Sequence, residues 1–482
     1  MKYVLSIDQS TQGTKALLLD EEGKIIKRAD LKHAQLINEL GYVSHNPLEI
    51  YDNTVKVIKK VIEEAQINKK DVTCIGISNQ RETTLMWDKD GKPYADAVVW
   101  QCSRAKDIAE RYVDKANLIY KISGLPLSPY FPACKMKWLA ENVEHGECLY
   151  GTVDSWLIYK LTKGKSFKTD TTNASRTQLY DLEKGEWSKE LCELFDINIE
   201  SLPEICDCDD LFGYTDVEGY FEKAVPITGV MGDSHAALFG QGCHNRGQVK
   251  VTLGTGSSIM MNIGEKLKLS KNGLTTSIAY SRKGVRNFAF EGNINYAGAV
   301  ITWLEEIGLI ESVKDLEGMI EKASAADETI LVPAFSGLSA PYWKNDARAM
   351  FYGMSRTTGS NELVKATVDS IAYQITDILH AMASDSSINI AQVKADGGPS
   401  RNKYLMQFLS ETARTNVSVS EKEELSAIGA ACMAGISFGV YDENRLFANQ
   451  KYTNYTYQMK VADWAKIMQR WYHALNVVLN DK

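Results

Sequence analysis

The sequence predicts an α/β protein of two domains with a ligand-binding cleft between them. At 482 residues the chain is longer than a single hydrophobic core usually supports. A strand–turn–strand pattern at the start of the chain recurs in its second half, and helical periodicity follows each copy. We place the boundary within the glycine-containing stretch 242–247, which gives predicted domains of residues 1–244 and 245–482.

The first half begins with a predicted three-stranded antiparallel meander. Glycine-containing turns separate three apolar stretches, at residues 3–7, 14–20 and 24–29. A helix is predicted from Pro47 to about Gln66, followed by a strand over 72–78. This strand delivers the polar residues 79–82 to its carboxyl end, where α/β folds commonly bind ligands.

The second half repeats this pattern. Residues 248–253 predict a strand, 254–256 a glycine turn and 258–262 a returning strand. Two helices, over 360–380 and 425–439, lie on either side of an apolar approach to Asp396-Gly-Gly398. The two halves are therefore predicted to be structurally related.

Composition and charge exclude several classes of protein. The formal net charge is −8 and there is no long Lys/Arg run, which argues against a protein that binds duplex nucleic acid by neutralising phosphates. No apolar stretch approaches the roughly 20 residues needed to cross a bilayer, so no membrane role is expected. The start of the chain lacks a signal-peptide pattern, which predicts a cytoplasmic protein. Nine scattered cysteines indicate reduced thiols and no transition-metal site.

Four glycine- and acid-bearing turns indicate phosphate transfer. They are Asp8–Lys15, Gly232-Asp233, Gly254-Thr-Gly256 and Asp396-Gly-Gly398. A turn without bulky side chains lets backbone N–H groups approach phosphate oxygens, and a nearby carboxylate can hold Mg²⁺ or accept a proton from a hydroxyl. The sequence therefore predicts an ATP- and Mg²⁺-dependent kinase.

Individual residues within these patterns are candidates for the chemistry. Asp233 follows a strand-like run and is the predicted general base, the alternative being a helix cap. Asp8 is assigned to the Mg²⁺–phosphate group, with a turn carboxylate as the alternative. Arg81-Glu82 can donate to and accept from polyol hydroxyls, or form a surface salt bridge. Tyr130, between prolines, can contact a carbon skeleton or simply pack.

These residues resemble the FGGY family of sugar kinases across essentially the whole chain, and within it the glycerol kinase branch. Two family signatures are matched, at 130–142 and at 349–369. Further segments are similar to the glycerol kinase branch: 77–83, 99–101, 151–156, 172–176, 236–241 and 333–338. The resemblance implies two domains of the actin-like, ribonuclease-H-like ATPase fold that close a catalytic cleft around a nucleotide and a polyol.

The resemblance also implies roles for individual residues. On the substrate side it implies Arg81, Glu82, Tyr130, Asp233 and Ser234, with Asp233 as the base. On the ATP side it implies Thr11, Gln12, Gly13, Lys15, Thr255, Gly298, Thr302, Gly398 and Asn402, which adds to the Mg²⁺ role assigned above to Asp8. Lys15 stands for the branch's usual Arg and Thr302 for a Gln, so single-point phosphate contacts are expected.

Departures from the branch pattern leave the substrate open. Ser234 stands where the pattern has Gln, and Ser258 where it has Phe, so both changes remove bulk. A longer polyol or ketose such as erythritol or xylulose is therefore an alternative to glycerol. The loop 216–226 has neither a histidine nor a Gly-Gly-Thr-Arg stretch, so neither histidine phosphorylation nor sugar-bisphosphate control is expected.

Two other classes of function compete with the kinase hypothesis. A non-catalytic sugar or nucleotide sensor would not require Asp233 and intact phosphate turns. An actin- or chaperone-type ATPase would have no use for Arg81, Glu82 and Tyr130 together. The expected partner is a small polyol or sugar, and relatives that form dimers or tetramers favour a homodimer.

Overall fold

A computed structural model describes residues 2–448 and 450–481 of the chain. The strands, in chain order, are β1 Tyr3–Ser10, β2 Gly13–Leu19, β3 Ile25–Lys32, β4 Leu36–Ile37, β5 Val43–His45, β6 Val72–Asn79, β7 Thr84–Trp87, β8 Ala97–Val98, β9 Leu149–Thr152, β10 Lys168–Asp170, β11 Tyr180–Asp181, β12 Glu186–Trp187, β13 Glu204–Cys206, β14 Gly213–Thr215, β15 Val225–Gly232, β16 Gln248–Leu253, β17 Ser257–Gly264, β18 Thr275–Arg282, β19 Val285–Ile294, β20 Ile330–Val332, β21 Met350–Tyr352, β22 Gln392–Gly397, β23 Val417–Ser420 and β24 Tyr452–Tyr455.

The helices alternate with these strands. They are α1 Pro47–Ala65, α2 Lys106–Arg111, α3 Ala116–Ser123, α4 Pro132–Asn142, α5 Val153–Leu161, α6 Thr171–Ala174, α7 Lys189–Phe195, α8 Asp233–Gly240, α9 Gly298–Glu306, α10 Asp315–Lys322, α11 Ser360–Ser386, α12 Lys403–Ala413, α13 Leu425–Ser437, α14 Glu443–Ala448 and α15 Val461–Asn480. Short 3₁₀ turns lie at Lys69–Asp71, Val113–Lys115, Ile199–Ser201 and Gly398–Arg401. None of the helices in the described part of the chain has the length and apolar character to span a membrane.

The first large sheet has the strand order β14-β15-β6-β1-β2-β3. β1, β2 and β3 form the predicted antiparallel meander, and β6 and β15 add parallel to β1. These central strands are buried on both faces, which explains their nearly continuous apolar sequences. Because β1, β6 and β15 run in the same direction, their carboxyl ends meet at one edge of the sheet.

The second large sheet has the order β18-β19-β17-β16-β22-β23-β24. As in the first sheet, an antiparallel hairpin, here β16–β17, adjoins parallel strands, here β22 and β23. The shared plan of three antiparallel strands followed by two parallel ones is that of a duplicated ribonuclease-H-like domain. The predicted actin-like, two-domain α/β fold is confirmed.

Helices α8 and α13 cross in close contact between the two sheets. A Cβ on Gly429 would lie 1.8 Å from the carbonyl oxygen of Ala236, and one on Gly76 in β6 would lie 2.3 Å from that of Ala430. Glycine is required at both positions because no side chain fits between the backbones. Helix α13 thus packs on the first sheet although it lies within the range 245–482, and the boundary at residue 244 stays a prediction.

A smaller sheet, in the order β4-β5-β8-β7-β9, extends the first half of the chain. Together with α4 it forms a separate apolar cluster around Val98, Met136 and Tyr150. Trp100 follows β8 and Tyr130 precedes α4, and their rings meet edge to face with centroids 5.6 Å apart. This layer therefore supplies an aromatic wall beside the carboxyl end of β6.

Candidate active site

Asp233 lies where β15 ends and α8 begins. The N-cap is Gly232 and Asp233 is the first helical residue, so the alternative of a capping aspartate is wrong. Its Oδ1 accepts hydrogen bonds from the Ser234 amide at 2.6 Å and from Arg81 Nε at 3.1 Å. Within the described residues no group donates to Oδ2, and the side chain is 35% exposed. One carboxylate oxygen is therefore held, while the other has no donor among the described residues in a side chain that solvent can reach.

Gly232 makes this contact possible. A Cβ on Gly232 would lie 2.6 Å from Cγ of Arg81, so any larger residue would displace the arginine. The Gly232 amide donates to Thr172 Oγ1 at 2.8 Å, which anchors the end of β15. The Gly-Asp sequence thus brings the carboxylate and the guanidinium together.

Arg81 also belongs to a buried ionic network that joins the two halves of the chain. Its two terminal nitrogens donate to the carboxylate of Glu291 in β19, each at 2.9 Å. Arg176 donates to Glu82 Oε1 at 2.6 Å and forms an ion pair with Glu291 at 2.9 Å. The alternative of a surface salt bridge between Arg81 and Glu82 is wrong, because both are buried and each pairs with another residue.

Charge balance explains why this network tolerates burial. Burial alone would raise the pKa of the Glu291 carboxyl, but the guanidiniums of Arg176 and Arg81 hold it well below its ordinary value. Two arginines and two glutamates, all shielded from water, neutralise one another with well-formed hydrogen bonds. The network fixes the positions of Arg81 and Glu82 at the cleft.

Sequence reasoning did not single out Glu291, Arg176 or Trp100 as site residues. Glu291 is a lone carboxylate in the apolar stretch of β19, and a buried charge in such a strand is a signal that was available. Trp100 Nε1 donates to Thr11 Oγ1 at 2.9 Å, which links the aromatic wall to the first phosphate turn. No local pattern indicated that contact.

Ser258 lies across the cleft, on β17 of the second sheet. Its hydroxyl donates to Glu291 Oε1 at 3.3 Å and accepts from the buried ammonium of Lys250 at 3.3 Å. The position next to the Arg81–Glu291 pair is therefore polar and small. Ser234, half-buried beside Asp233, adds the second small hydroxyl that the sequence analysis identified.

Asp8 lies in β1 directly opposite Ser78 of β6, and Ser78 Oγ donates to its Oδ1 at 2.9 Å. Burial, with a smaller contribution from the nearby Asp233, raises the pKa of the Asp8 carboxyl to about 6 against the lowering effect of Lys15. A carboxylate in this setting gains from a bound cation, and oxygen ligands suit Mg²⁺. No cluster of three or more His, Cys, Asp or Glu side chains suited to a metal occurs in residues 2–448 and 450–481.

The first predicted phosphate turn connects β1 to β2. Gly13 is required there, because a Cβ would lie 2.4 Å from the carbonyl oxygen of Leu31. Gln12 is exposed and Thr11 half-buried, so the tip faces solvent. Lys15 is held by Glu424, which lies directly before α13, at 2.6 Å. The structure therefore gives Lys15 a carboxylate partner that the sequence analysis did not foresee.

The second predicted phosphate turn, Gly254–Gly256, contacts the start of α9. The amides of Ala297 and Ala299 both donate to the Thr255 carbonyl at 2.9 Å. A Cβ on Gly298 would lie 2.6 Å from the Gly254 carbonyl oxygen, which explains the glycine. Thr255 itself is exposed at the tip of the turn.

A cavity of about 590 Å³ lies beside this turn. It brings together four of the predicted nucleotide residues, namely Gly298, Thr302, Gly398 and Asn402. Its apolar lining comes from Ile301, Val313, Leu316 and Pro399. An apolar cavity with a few polar groups at its rim suits a planar ring such as a nucleobase.

The two sheets share one plan and meet at a cleft. Carboxylates lie on one side of the cleft and glycine turns lie on both sides, which is typical of the actin-like class of ATPases and kinases. The chain belongs to the FGGY family of carbohydrate kinases. The family's N-terminal domain matches residues 3–240 and its C-terminal domain matches residues 249–438. The protein is therefore a carbohydrate kinase, a phosphotransferase that acts on an alcohol group.

Individual relatives agree with this assignment. The chain is 45% identical to glycerol kinase 1 of Thermotoga maritima over 453 residues, and this alignment covers 92% of each of the two proteins. It superimposes on the crystal structure of Plasmodium falciparum glycerol kinase with ADP with a TM-score of 0.95 and 35% identity, covering 100% of this chain and 99% of that one. A xylulose kinase from Lactobacillus acidophilus has a TM-score of 0.90 at 19% identity over 100% and 99% of the two chains, which shows a shared fold alone.

Proposed function

We propose that this protein transfers the γ-phosphoryl group of ATP to a hydroxyl of glycerol. The observation that carries the proposal is Asp233 beside Arg81: its Oδ1 is held by two donors, while its Oδ2 has no donor among the described residues and the side chain is partly exposed. The similarity at 38–45% identity to proteins named glycerol kinase supports the polyol class. The longer alternatives, erythritol and xylulose, are not favoured, since the xylulose kinase likeness extends only to the fold.

The substrate is held by the buried ionic network and the aromatic wall. Arg81 and Glu82 bind polyol hydroxyls as donor and acceptor, and Tyr130 contacts the carbon backbone beside Trp100. Burial, with the neighbouring Glu82, raises the pKa of the Tyr130 phenol, so this group stays a hydrogen-bond donor. Ser234 and Ser258 leave this end of the site small and polar.

Phosphoryl transfer then requires one proton acceptor and two sets of phosphate contacts. Asp233 Oδ2 takes the proton of the reacting hydroxyl as its oxygen bonds to the γ-phosphorus and the bond to ADP breaks. Thr11, Gln12, Gly13 and Lys15 bind the phosphates from one side and Thr255 from the other. Gly298, Thr302, Gly398 and Asn402 hold the nucleoside in the 590 Å³ cavity.

Asp8 is the group that would hold Mg²⁺ with the ATP phosphates. The ion supplies positive charge that offsets the charge on the phosphates during transfer. Closure of the two domains excludes water, which favours the polyol hydroxyl over hydrolysis. The absence of a histidine or Gly-Gly-Thr-Arg stretch at 216–226 supports activity without those two controls. A cytoplasmic location stays a prediction. A homodimer also stays a prediction, and sedimentation can test it.

The test measures ADP formation by the purified protein with Mg²⁺ATP and a panel of glycerol, erythritol, xylulose, ribulose and dihydroxyacetone. Glycerol is expected to give the highest kcat/KM, and Asp233→Asn to lose at least about 10²-fold in kcat. Asp181→Asn, at a carboxylate in β11 outside the site, is the control and is expected to keep wild-type kcat.

Three outcomes would overturn parts of this proposal. Faster turnover of xylulose or erythritol than of glycerol would identify the longer substrate. Near-wild-type kcat in a folded Asp233→Asn variant would remove the assigned base. ATP binding without turnover of any polyol would support a sensor, and ATP hydrolysis that no polyol stimulates would support an ATPase.

A further inference from the structure

Lys135 carries a completely buried ammonium group beneath the proposed polyol site. It lies near the start of α4, and none of the residue is accessible to water. Its Nζ donates to the carbonyl oxygen of Tyr130 and, at 3.3 Å, to the carbonyl oxygen of Glu82. Both acceptors belong to residues that the proposed function assigns to the substrate.

These two carbonyls come from separate segments of the chain. Glu82 follows β6, whereas Tyr130 precedes α4, and the ammonium bridges them. Glu82 has a positive φ of 62°, an unfavourable backbone conformation for a residue with a side chain. Thr84 Oγ1 donates to the same Glu82 carbonyl at 3.0 Å. The turn that aims the Glu82 side chain thus depends on donors to its backbone.

Packing alone does not account for a lysine at this position. Among the described residues no carboxylate forms an ion pair with Lys135. The charge of Glu82 favours the ammonium form of Lys135 without contacting it as an ion pair. A buried cation without a paired anion is costly, and methionine would fill a similar volume without that cost. What methionine cannot supply is a group with three N–H donors that reaches two carbonyls at once.

We propose that Lys135 is a positioning residue that holds the Glu82 and Tyr130 segments at the spacing needed to bind the polyol. The inference rests on the proposed function, because it concerns the substrate side of the same site. The ammonium does not touch the substrate. It acts through two backbone carbonyls, so its loss should weaken polyol binding and leave the nucleotide side unchanged.

The first test compares Lys135→Met with Lys137→Met. Lys137 is on the same helix but pairs with Asp196 and Glu141, away from the site, so it is a matched control. For Lys135→Met we expect the KM for glycerol to rise at least about 10-fold, while the KM for ATP changes less than about 2-fold. Lys137→Met is expected to keep both values. A folded Lys135→Met variant with wild-type glycerol KM, or with both KM values raised equally, would overturn the proposal.

The pH dependence gives a second readout that does not need Lys135→Met to fold. Burial lowers the pKa of Lys135 to about 7, while Glu82, Cys134 and Cys102 raise it and Arg104 lowers it. The wild-type KM for glycerol should therefore rise as the pH passes upward through about 7. Lys135→Arg, which keeps its charge, should lack this rise. An equal rise in both proteins would overturn the assignment to Lys135.

The two proposals fail in different ways. If wild-type protein phosphorylates no polyol in the panel, the proposed function is wrong. If wild-type protein phosphorylates glycerol and the Lys135 variants leave the glycerol KM and its pH dependence unchanged, only the positioning role is wrong.

Discussion

Gly429→Ala tests the crossing of α8 and α13, on which the position of Asp233 depends. The added methyl would lie 1.8 Å from the Ala236 carbonyl oxygen and 2.5 Å from its carbon. Ordinary contacts between such atoms are about 3.5 Å, so the helices must separate by more than about 1 Å. Overpacking of this kind costs about 1–3 kcal/mol or more, against a gain of about 1 kcal/mol in helix propensity.

Because the 1.8 Å approach to a backbone oxygen is at the severe end of this range, we expect a net loss of about 2 kcal/mol in the free energy of unfolding, measured by urea denaturation. Because α8 starts at Asp233, we also expect kcat to fall as the carboxylate moves. Gly318→Ala is the control, since Gly318 lies within α10 with no atom within 4 Å of its added Cβ, and it should stabilise by up to about 1 kcal/mol. Wild-type stability and activity in Gly429→Ala would refute the argument.

Two further changes test electrostatics, one in a buried helix and one beside the proposed phosphate contacts. Burial raises the pKa of the Asp377 carboxyl to about 7, so the folded protein retains a proton that the unfolded chain releases near pH 4. The free energy of unfolding should therefore fall as the pH rises from about 4 to 7. Asp377→Asn should lessen this fall by on the order of 3 kcal/mol, measured by urea denaturation at pH 5 and pH 8. An unchanged dependence of the free energy of unfolding on pH in the variant would contradict this prediction. Glu424→Gln should free Lys15 for the ATP phosphates and lower the KM for ATP about 2- to 5-fold, whereas a higher KM would mean that Glu424 holds Lys15 in its working position.

The strands and turns of the two sheets were predictable because they depend on local patterns. Short apolar stretches separated by glycine-containing turns indicated β1, β2, β6 and β16 to within a few residues. The start of α8, at Asp233, has a weaker local signal. The first turn, Asp-Ser-His, has neither apolar periodicity nor a side-chain cap, and tertiary packing, not propensity, decides where this helix begins.

The candidate site was predictable only in part, because local patterns indicate single residues but not which of them meet in the folded chain. Arg81, Glu82 and Asp233 follow strands, and Asp8 lies near the end of one. The parallel direction of β1, β6 and β15 brings these strand ends together. The partner of Lys15 was not predictable, because Glu424 lies in the other half of the chain and no local rule pairs them. Nor did any pattern indicate that Trp100 would bond to the first phosphate turn.

The sequence by itself determined the two-domain α/β class, the glycine turns and the polar residues at strand ends, because these follow from hydrophobic period and backbone sterics. Only the tertiary structure decided which charges meet. Arg81 and Arg176 share Glu291, and Lys135 joins the carbonyls of Glu82 and Tyr130. A buried charge is stable only where its partners surround it, and those partners are set by strand order and helix crossing, not by proximity along the chain.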